Sequence, residues 1–169
     1  MLADAVTFRK LTMSDLPLLH EWLSRPHVME WWGDPPSLHE LDGEYGPAVR
    51  GESLDAHYIA FAEGAPIGYI QSYVAMASGD GWWADVTDPG LRGIDQFLAN
   101  AHQLGRGFGT TMVRTFIQAL LSEPGVTRVQ VDPSPANARA IRCYEKAGFY
   151  PVAEVDTPDG RALLMYRDR

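Results

Sequence analysis

Two stretches combine residue types and spacings that could do chemistry. In "QLGRGFGTTMV", Gln103–Val113, glycines recur at 105, 107 and 109 ahead of a helix-like run. Glycine weakens helices and strands alike, so the pattern marks either a flexible linker or a loop offering its backbone N–H groups to a ligand. Amides at a helix start lack partners and the helix dipole adds positive potential there, which suits a phosphate or pyrophosphate. Arg106 and Arg114 would add charge to such a site, or be solvated helix arginines. The loop has no Gly-Lys-Ser/Thr ending. Nor does it follow a first strand with an acid about twenty residues on, so the P-loop and the dinucleotide fingerprint are excluded. The second stretch is "NARAIRCYEKAGF", Asn137–Phe149. Asn137, Ala140, Ile141 and Tyr144 fall at i, i+3, i+4 and i+7 on one helical face. Leucine is the usual core residue at the last position, and a tyrosine hydroxyl there needs a buried partner or a chemical task.

Tryptophan supplies a third signal. Trp31–Trp32 and Trp82–Trp83 hold four of the five tryptophans, and each pair is set among acids and glycines. Adjacent tryptophans in "GDGWWAD" cannot easily both be buried. One of each pair is expected to face a ligand, and the other to anchor its loop against the core.

These residues need a frame. "VTFRKL", Val6–Leu11, alternates like a strand, and "TMSDLPLLHEWLS" spaces Leu16, Leu19 and Leu23 for a helix, with Ser14 as N-cap and Pro17 in the first turn. Residues 26–56 read as loop with one or two short helices. Strands are expected at 57–62 and 66–76 around an "EGAP" turn, then a long functional loop over 77–93. A strand to about 98, a helix over 109–122, a strand over 126–133, a helix over 136–148 and strands near 149–155 and 161–167 complete the chain. Gly148 serves as the C′ glycine of the last helix. The second half thus alternates strand and helix while the first holds a helix and a hairpin, which makes an α/β (α+β) domain with a mixed central sheet.

Composition bounds the function. The 169 residues read as a single domain, 1–169, with 46% hydrophobic and 21% charged residues, an ordinary globular balance. Fourteen basic against 22 acidic residues give a net charge of −8, which disfavours nucleic acid or an anionic membrane and suits a cationic ligand. "MLADAVTFRK" has an acid at position 4 and no apolar run of signal-peptide length, and no segment reads as a membrane span. Cys143 is the only cysteine, compatible with a reducing cytoplasm, and the five histidines form no metal-ligand pattern. The expectation is a cytoplasmic, metal-free monomer.

The glycine loop and the Asn137–Phe149 segment together resemble the GNAT superfamily of acetyl-CoA-dependent N-acetyltransferases. That family's pyrophosphate signature is glutamine or arginine, two free positions, Gly, a free position, then Gly or Ala. With Gly107 and Gly109 as its glycines, the leading position here is Leu104 and the glutamine stands one earlier, at Gln103. The resemblance implies a mostly antiparallel central sheet with strands splayed at the acetyl-CoA site. It also implies a coenzyme cradle formed by Gln103, Leu104, Gly105, Arg106, Gly107, Phe108, Gly109 and Thr110. Asn137 would meet the pantetheine arm, and the Tyr144 hydroxyl would lie near the thioester sulfur. Amine acetylation needs a base for the ammonium and a proton for the departing thiolate. Asp95 in "RGIDQ", near a strand end, supplies the first and Tyr144 the second.

Four longer blocks are similar to the aminoglycoside 6′-N-acetyltransferases: Glu21–Gly33, Pro66–Ala75, Ser78–Gln96 and Asp132–Phe149, with "TPDG" at Thr157–Gly160. This resemblance implies an aminoglycoside as acceptor, with Trp32, Gln71, Asp80, Trp82, Trp83, Asp95, Asp132 and Asp159 facing it. Carboxylates and flat aromatic walls suit a polycation whose rings are polar at the rim and apolar on the faces. After "GDGWW" the chain has Ala84, Asp85 and Val86 where close relatives carry a run of glutamates. Two alternatives stand beside this reading. One is acetylation of a hydroxylysine-like amine in siderophore synthesis; the other is a non-catalytic binder of cations.

Overall fold

The computed structural model describes residues 6–169, so the acid read at position 4 lies outside the described residues. The described residues form seven strands, β1 (Val6–Lys10), β2 (Ala56–Ala62), β3 (Ala65–Val74), β4 (Leu91–Leu98), β5 (Arg128–Val131), β6 (Tyr150–Thr157) and β7 (Gly160–Asp168), and five α-helices. These are α1 (Leu16–Leu23), α2 (Pro26–Trp32), α3 (Leu38–Val49), α4 (Phe108–Ser122) and α5 (Ala138–Lys146). The strand order is β1-β2-β3-β4-β5-β7-β6. β4 and β5 run parallel, whereas β1/β2, β5/β7 and β6/β7 are antiparallel, so the sheet is mixed as expected. Register between β4 and β5 covers only Leu91–Gly93 against Arg128–Gln130, while β4 runs on to Leu98.

Two compact units divide the chain, one made of the residues up to Gln71 with Gln96–Phe108, the other of Ser72–Asp95 with Gly109–Arg169. In the first, Leu16, Leu19, Trp22 and Leu23 of α1 bury one helical face with Leu41 and Tyr45 of α3, Ile59 of β2, Tyr69 of β3 and Phe97 of β4. Arg25 ties this unit to the end of β4. Its Nη1 donates to Ala99 O at 2.6 Å and to Asn100 Oδ1 at 2.8 Å, and His27 Nε2 lies 2.8 Å from Leu98 O. In the second unit, α4 buries Met112, Val113, Phe116, Ile117, Leu120 and Leu121, a stripe repeating every three to four residues. Val129 and Val131 of β5 and Met165 of β7 are fully buried there.

Two expectations need correction. Ser14 does not cap α1: a 3₁₀ turn at Met13–Asp15 precedes the helix, and Asp15 is its N-cap residue. The Asp15 carboxylate also accepts from the Thr12 amide at 2.8 Å and from both Arg9 Nη atoms at 2.9 Å. An acid reached by an arginine and a backbone amide organises this turn better than a lone hydroxyl can. Residues 26–56 are mainly helical rather than loop, holding both α2 and the 12-residue α3. Ser37 caps α3 in a Ser-x-x-Glu box, its Oγ accepting from Glu40 N at 3.1 Å while Glu40 reaches back to Ser37 N at 3.3 Å. Among the described residues no helix is long and apolar enough to cross a membrane, and no cluster of metal-ligating side chains occurs.

Candidate active site

The second unit gathers the acids. Gly93 of β4 pairs with Gln130 of β5; Asp95 lies two residues further along β4, and Asp132 directly follows the end of β5. Asp159 sits at the exposed tip of the β6–β7 hairpin, in a turn where Thr157 Oγ1 accepts from the Asp159 amide at 3.2 Å and donates to Gly160 O at 2.7 Å. Burial, then the negative fields of Asp95 and Asp159, push the Asp132 carboxyl up from 3.8 to about 8. At neutral pH this group holds a proton, and a cation arriving beside it would drive that proton off.

Residues 78–90 form the turn-rich loop expected there. Asp80 at φ +50° and Gly81 at φ +84° form a tight turn, closed by Trp82 N donating to Gly79 O at 2.9 Å. Positive φ at both central positions is the type I′ pattern, which favours an Asp-Gly pair. A Cβ on Gly81 would lie 3.8 Å from Pro158, so this turn and the hairpin tip bearing Asp159 are neighbours. Trp83, at φ +50°, packs its ring 5.9 Å from that of Trp82 and donates from Nε1 to Tyr73 Oη at 3.1 Å. Tyr73 also accepts from Gln130 Nε2 at 3.1 Å, and burial followed by the fields of Asp95 and Asp132 holds its phenol well above the ordinary value of 10.0. Gln130 is fully buried, and its Oε1 has no hydrogen-bond partner.

α5 carries the pair read from the Asn137–Phe149 segment. Asn137 is the N-cap, with Oδ1 accepting from Ala140 N at 3.2 Å, so its Nδ2 is the group it can offer a ligand. Tyr144 is buried with its ring edge-on to Phe149 at 5.6 Å. Thr110 donates its hydroxyl to Cys143 Sγ at 3.7 Å and Arg114 donates to Lys146 O at 2.6 Å. Both side chains bind α4 to α5, which leaves Thr110 its backbone amide for a phosphate.

Two expected residues and the glycine loop lie in the first unit. Gly105 at φ +72° and Gly107 at φ +88° take left-handed backbone that a side chain would strain. Added Cβ atoms there would meet nothing within 4 Å, so the backbone stands open at the start of a 15-residue helix without acids in its first turn. That open, acid-free helix start fits a pyrophosphate. Gly109 is already inside α4, Phe108 is buried, and Arg106 lies 5.5 Å from the Phe108 ring. Gln103 Oε1 accepts from Asn100 Nδ2 at 3.2 Å, which ties that side chain to its own turn, and Leu104 ends the 3₁₀ turn as its C-cap.

Trp32 packs edge-on to Phe97 at 5.2 Å and Tyr69 at 6.0 Å, while Trp31 is 41% exposed. With Asp34, Glu44 and Tyr45, Trp32 lines a cleft of about 160 Å³. Burial, then Glu40, raises the Glu44 carboxyl above its ordinary value. Gln71 belongs to a buried relay. His57 Nδ1 lies 2.6 Å from Tyr69 Oη, and Tyr69 donates to Gln71 Oε1 at 3.1 Å. Because the phenol proton goes to Gln71, His57 is the donor and carries its proton on Nδ1. Burial lowers its pKa from 6.5 to about 4, so the ring stays neutral.

Sequence reasoning missed Tyr73, Gln130, His57 and Tyr69. The alternation Tyr69, Gln71, Tyr73 along β3 was the available signal, since it puts three hydrogen-bonding side chains on one strand face.

A family model described as an acetyltransferase (GNAT) domain matches residues 12–157. An aminoglycoside N(6′)-acetyltransferase type 1 of Klebsiella pneumoniae is 54% identical over 169 residues, 98% of this chain and 84% of the relative. The crystal structure of aminoglycoside acetyltransferase AAC(6′)-Ib with coenzyme A and kanamycin is similar at a TM-score of 0.93 and 54% identity, covering 98% of this chain and 95% of that one. Lysine N-acyltransferase MbtK of Mycobacterium tuberculosis is 27% identical over 165 residues, 92% of this chain and 74% of the relative.

Proposed function

The chain belongs to the GNAT acetyltransferase family, and from that premise we propose that it acetylates the 6′-amine of aminoglycosides with acetyl-CoA, a resistance activity. One observation carries the choice of acceptor: burial, then the fields of Asp95 and Asp159, keeps Asp132 protonated to about pH 8. A substrate carrying several positive charges would relieve such a group of three carboxyls. A single extended amine, as in the lysine-acylating relative, would not call for three.

Acetyl-CoA, when bound, supplies the acyl group and a thiolate as leaving group. The reaction turns an ammonium and a thioester into an amide, a thiol and a proton. Asp95 takes the proton that frees the amine lone pair, and Tyr144 gives its phenolic proton to the departing sulfur. The amides of Gly105–Thr110 hold the pyrophosphate, with Gln103, Leu104, Arg106 and Phe108 shaping the loop, and Asn137 Nδ2 meets the pantetheine arm. Asp80, Asp132 and Asp159 hold the remaining ammonium groups against the Trp82 and Trp83 rings. Residues 1–169 act as one catalytic domain, a reading supported by a family match that runs through both units. It works as a monomer in the cytoplasm, without metal, and its charge of −8 suits neither nucleic acid nor an anionic membrane.

The test is release of coenzyme A thiol from acetyl-CoA over a panel of aminoglycosides with and without a 6′-amine. Turnover confined to 6′-amines is expected. Turnover of hydroxylysine-type amines alone would transfer the reading to siderophore chemistry, and none at all would make the chain a binder.

A further inference from the structure

The backbone of Arg25 is fixed from two sides. Its amide donates to Trp22 O at 3.1 Å near the end of α1, and its carbonyl accepts from the Val28 and Met29 amides at 3.0 Å as the N-cap residue of α2. From that root the guanidinium forks. Nη2 donates to Glu21 Oε1 at 2.9 Å, while Nη1 donates both to Ala99 O at 2.6 Å and to Asn100 Oδ1 at 2.8 Å. His27 Nε2 lies 2.8 Å from the preceding carbonyl, Leu98 O. β4 ends at Leu98, so these two side chains hold the backbone where the strand gives out.

The contact then passes along the chain. A guanidinium only donates, so Asn100 turns its carbonyl oxygen to Arg25 and its Nδ2 the other way. That Nδ2 donates to Gln103 Oε1 at 3.2 Å. The Asn100 backbone acts in the same sense: it is the N-cap of the 3₁₀ turn Ala101–Gln103, and its carbonyl accepts from Gln103 N at 3.0 Å. Arg25 therefore grips the first residue of this turn, and that residue grips the last. Gly105 follows two positions later, and neither it nor Gly107 has a neighbour that an added Cβ would meet within 4 Å. Glycines impose little shape of their own, so the geometry of this loop depends on the turn that feeds it.

We propose that Arg25 is a positioning residue for acetyl-CoA: through Ala99, Asn100 and Gln103 it fixes the turn that delivers the glycine loop to the coenzyme's pyrophosphate. This rests on the reading that the amides of that loop hold the pyrophosphate. A glycine-rich segment left loose at its entry would have to be ordered each time the donor binds. A strap that orders the entry beforehand removes part of that cost, so its loss falls on donor affinity and spares the chemical step. Arginine suits the task because its rigid planar fork reaches Glu21 and both acceptors of the 99–100 segment together, whereas lysine presents a flexible point charge.

The experiment compares acetyl-CoA with S-acetylpantetheine, which has the same thioester and no pyrophosphate. Calorimetry gives Kd for coenzyme A, and thiol release with an aminoglycoside acceptor gives kcat and KM for each donor, on the wild type, Arg25→Lys, Arg25→Gln and Asn100→Ala. In Arg25→Gln the Kd for coenzyme A should rise about tenfold, the worth of one hydrogen bond to a charged group, with a smaller rise in Arg25→Lys. kcat at saturating acetyl-CoA should be unchanged, as should kcat/KM with S-acetylpantetheine. Asn100→Ala leaves Arg25 on Ala99 O and cuts the link to Gln103; it should weaken coenzyme A in the same direction, and it serves should the Arg25 variants not fold. A loss shared equally by both donors would make Arg25 a brace for the fold alone and overturn the proposal. Coenzyme A affinity unmoved in whichever variants fold would overturn it too. Gly107→Val separates the two readings: unaltered coenzyme A affinity there removes the cradle itself, whereas weak binding in Gly107→Val beside unmoved Arg25 and Asn100 variants sinks only this inference.

Discussion

Asp132→Asn offers a quantitative handle on the acid cluster, because asparagine keeps the shape of the protonated carboxyl and cannot ionise. The wild-type carboxyl titrates near 3.8 in an unfolded chain and at about 8 in the fold. A raised folded value means that the folded state binds more protons between these limits. The stability associated with that proton is complete below pH 3.8 and is lost as pH rises through 8. At about 1.4 kcal/mol per pH unit, the interval caps the loss at about 6 kcal/mol. Water entry and relaxation of the exposed hairpin tip reduce it, and we expect about 2–4 kcal/mol between pH 5 and pH 9. The variant lacks this loss, so it should gain on the wild type steadily over that range. Urea unfolding at several pH values, without substrate, measures it. Wild-type and variant stabilities that run parallel from pH 5 to pH 9 would refute the reasoning, since Asp132 would then ionise freely in the fold.

Tyr144→Phe should lower kcat at least about tenfold, the value of one hydrogen bond made in the transition state, with little effect on acetyl-CoA binding; unchanged kcat in the thiol assay removes the acid role. Asp95→Asn should abolish turnover near neutral pH while calorimetry still detects aminoglycoside binding. His57 titrates oppositely to Asp132: its folded value of about 4 lies below the unfolded 6.5, so its contribution is present above 6.5 and is lost as pH falls through 4. His57→Gln should therefore narrow the acid-induced loss by up to about 3 kcal/mol, read from urea midpoints at pH 7 and pH 4.5. Binding of a polycation should also discharge the proton on Asp132, giving calorimetric heats at pH 7 that vary with the ionisation enthalpy of the buffer.

What could be read in advance was local. Gly105 and Gly107 announce their backbone through a steric rule that acts on one residue at a time, and both have positive φ. The apolar stripe of α4 depends on neighbours three and four residues away. α3 was equally local but obscured by Gly43, Gly46 and Pro47, although Ser37 and Glu40 stand at capping-box spacing and Leu38, Leu41 and Tyr45 at helical spacing. Its proline lies in the last turn, where it forfeits a single backbone bond. The Tyr73–Gln130 bond past Gly93 was not legible, because it depends on which strand lies beside which and on a glycine 20 positions away. Asp132 looked like any acid after a strand; its retained proton comes first from burial and then from Asp95 and Asp159, 37 and 27 residues distant.

Trp83 has a consequence for the history of the chain. A large aromatic residue at φ +50° costs on the order of 1 kcal/mol that glycine would not, so folding alone would discard it at the first opportunity. Its indole bond to Tyr73 offsets part of that cost, and the remainder is a standing bias toward loss. In a lineage no longer meeting its substrate, position 83 should drift early, while Gly105 and Gly107 stay fixed by their left-handed backbone and Gly93 by the Tyr73 ring packed against it. The tryptophan is therefore the better record of whether the activity is still under selection.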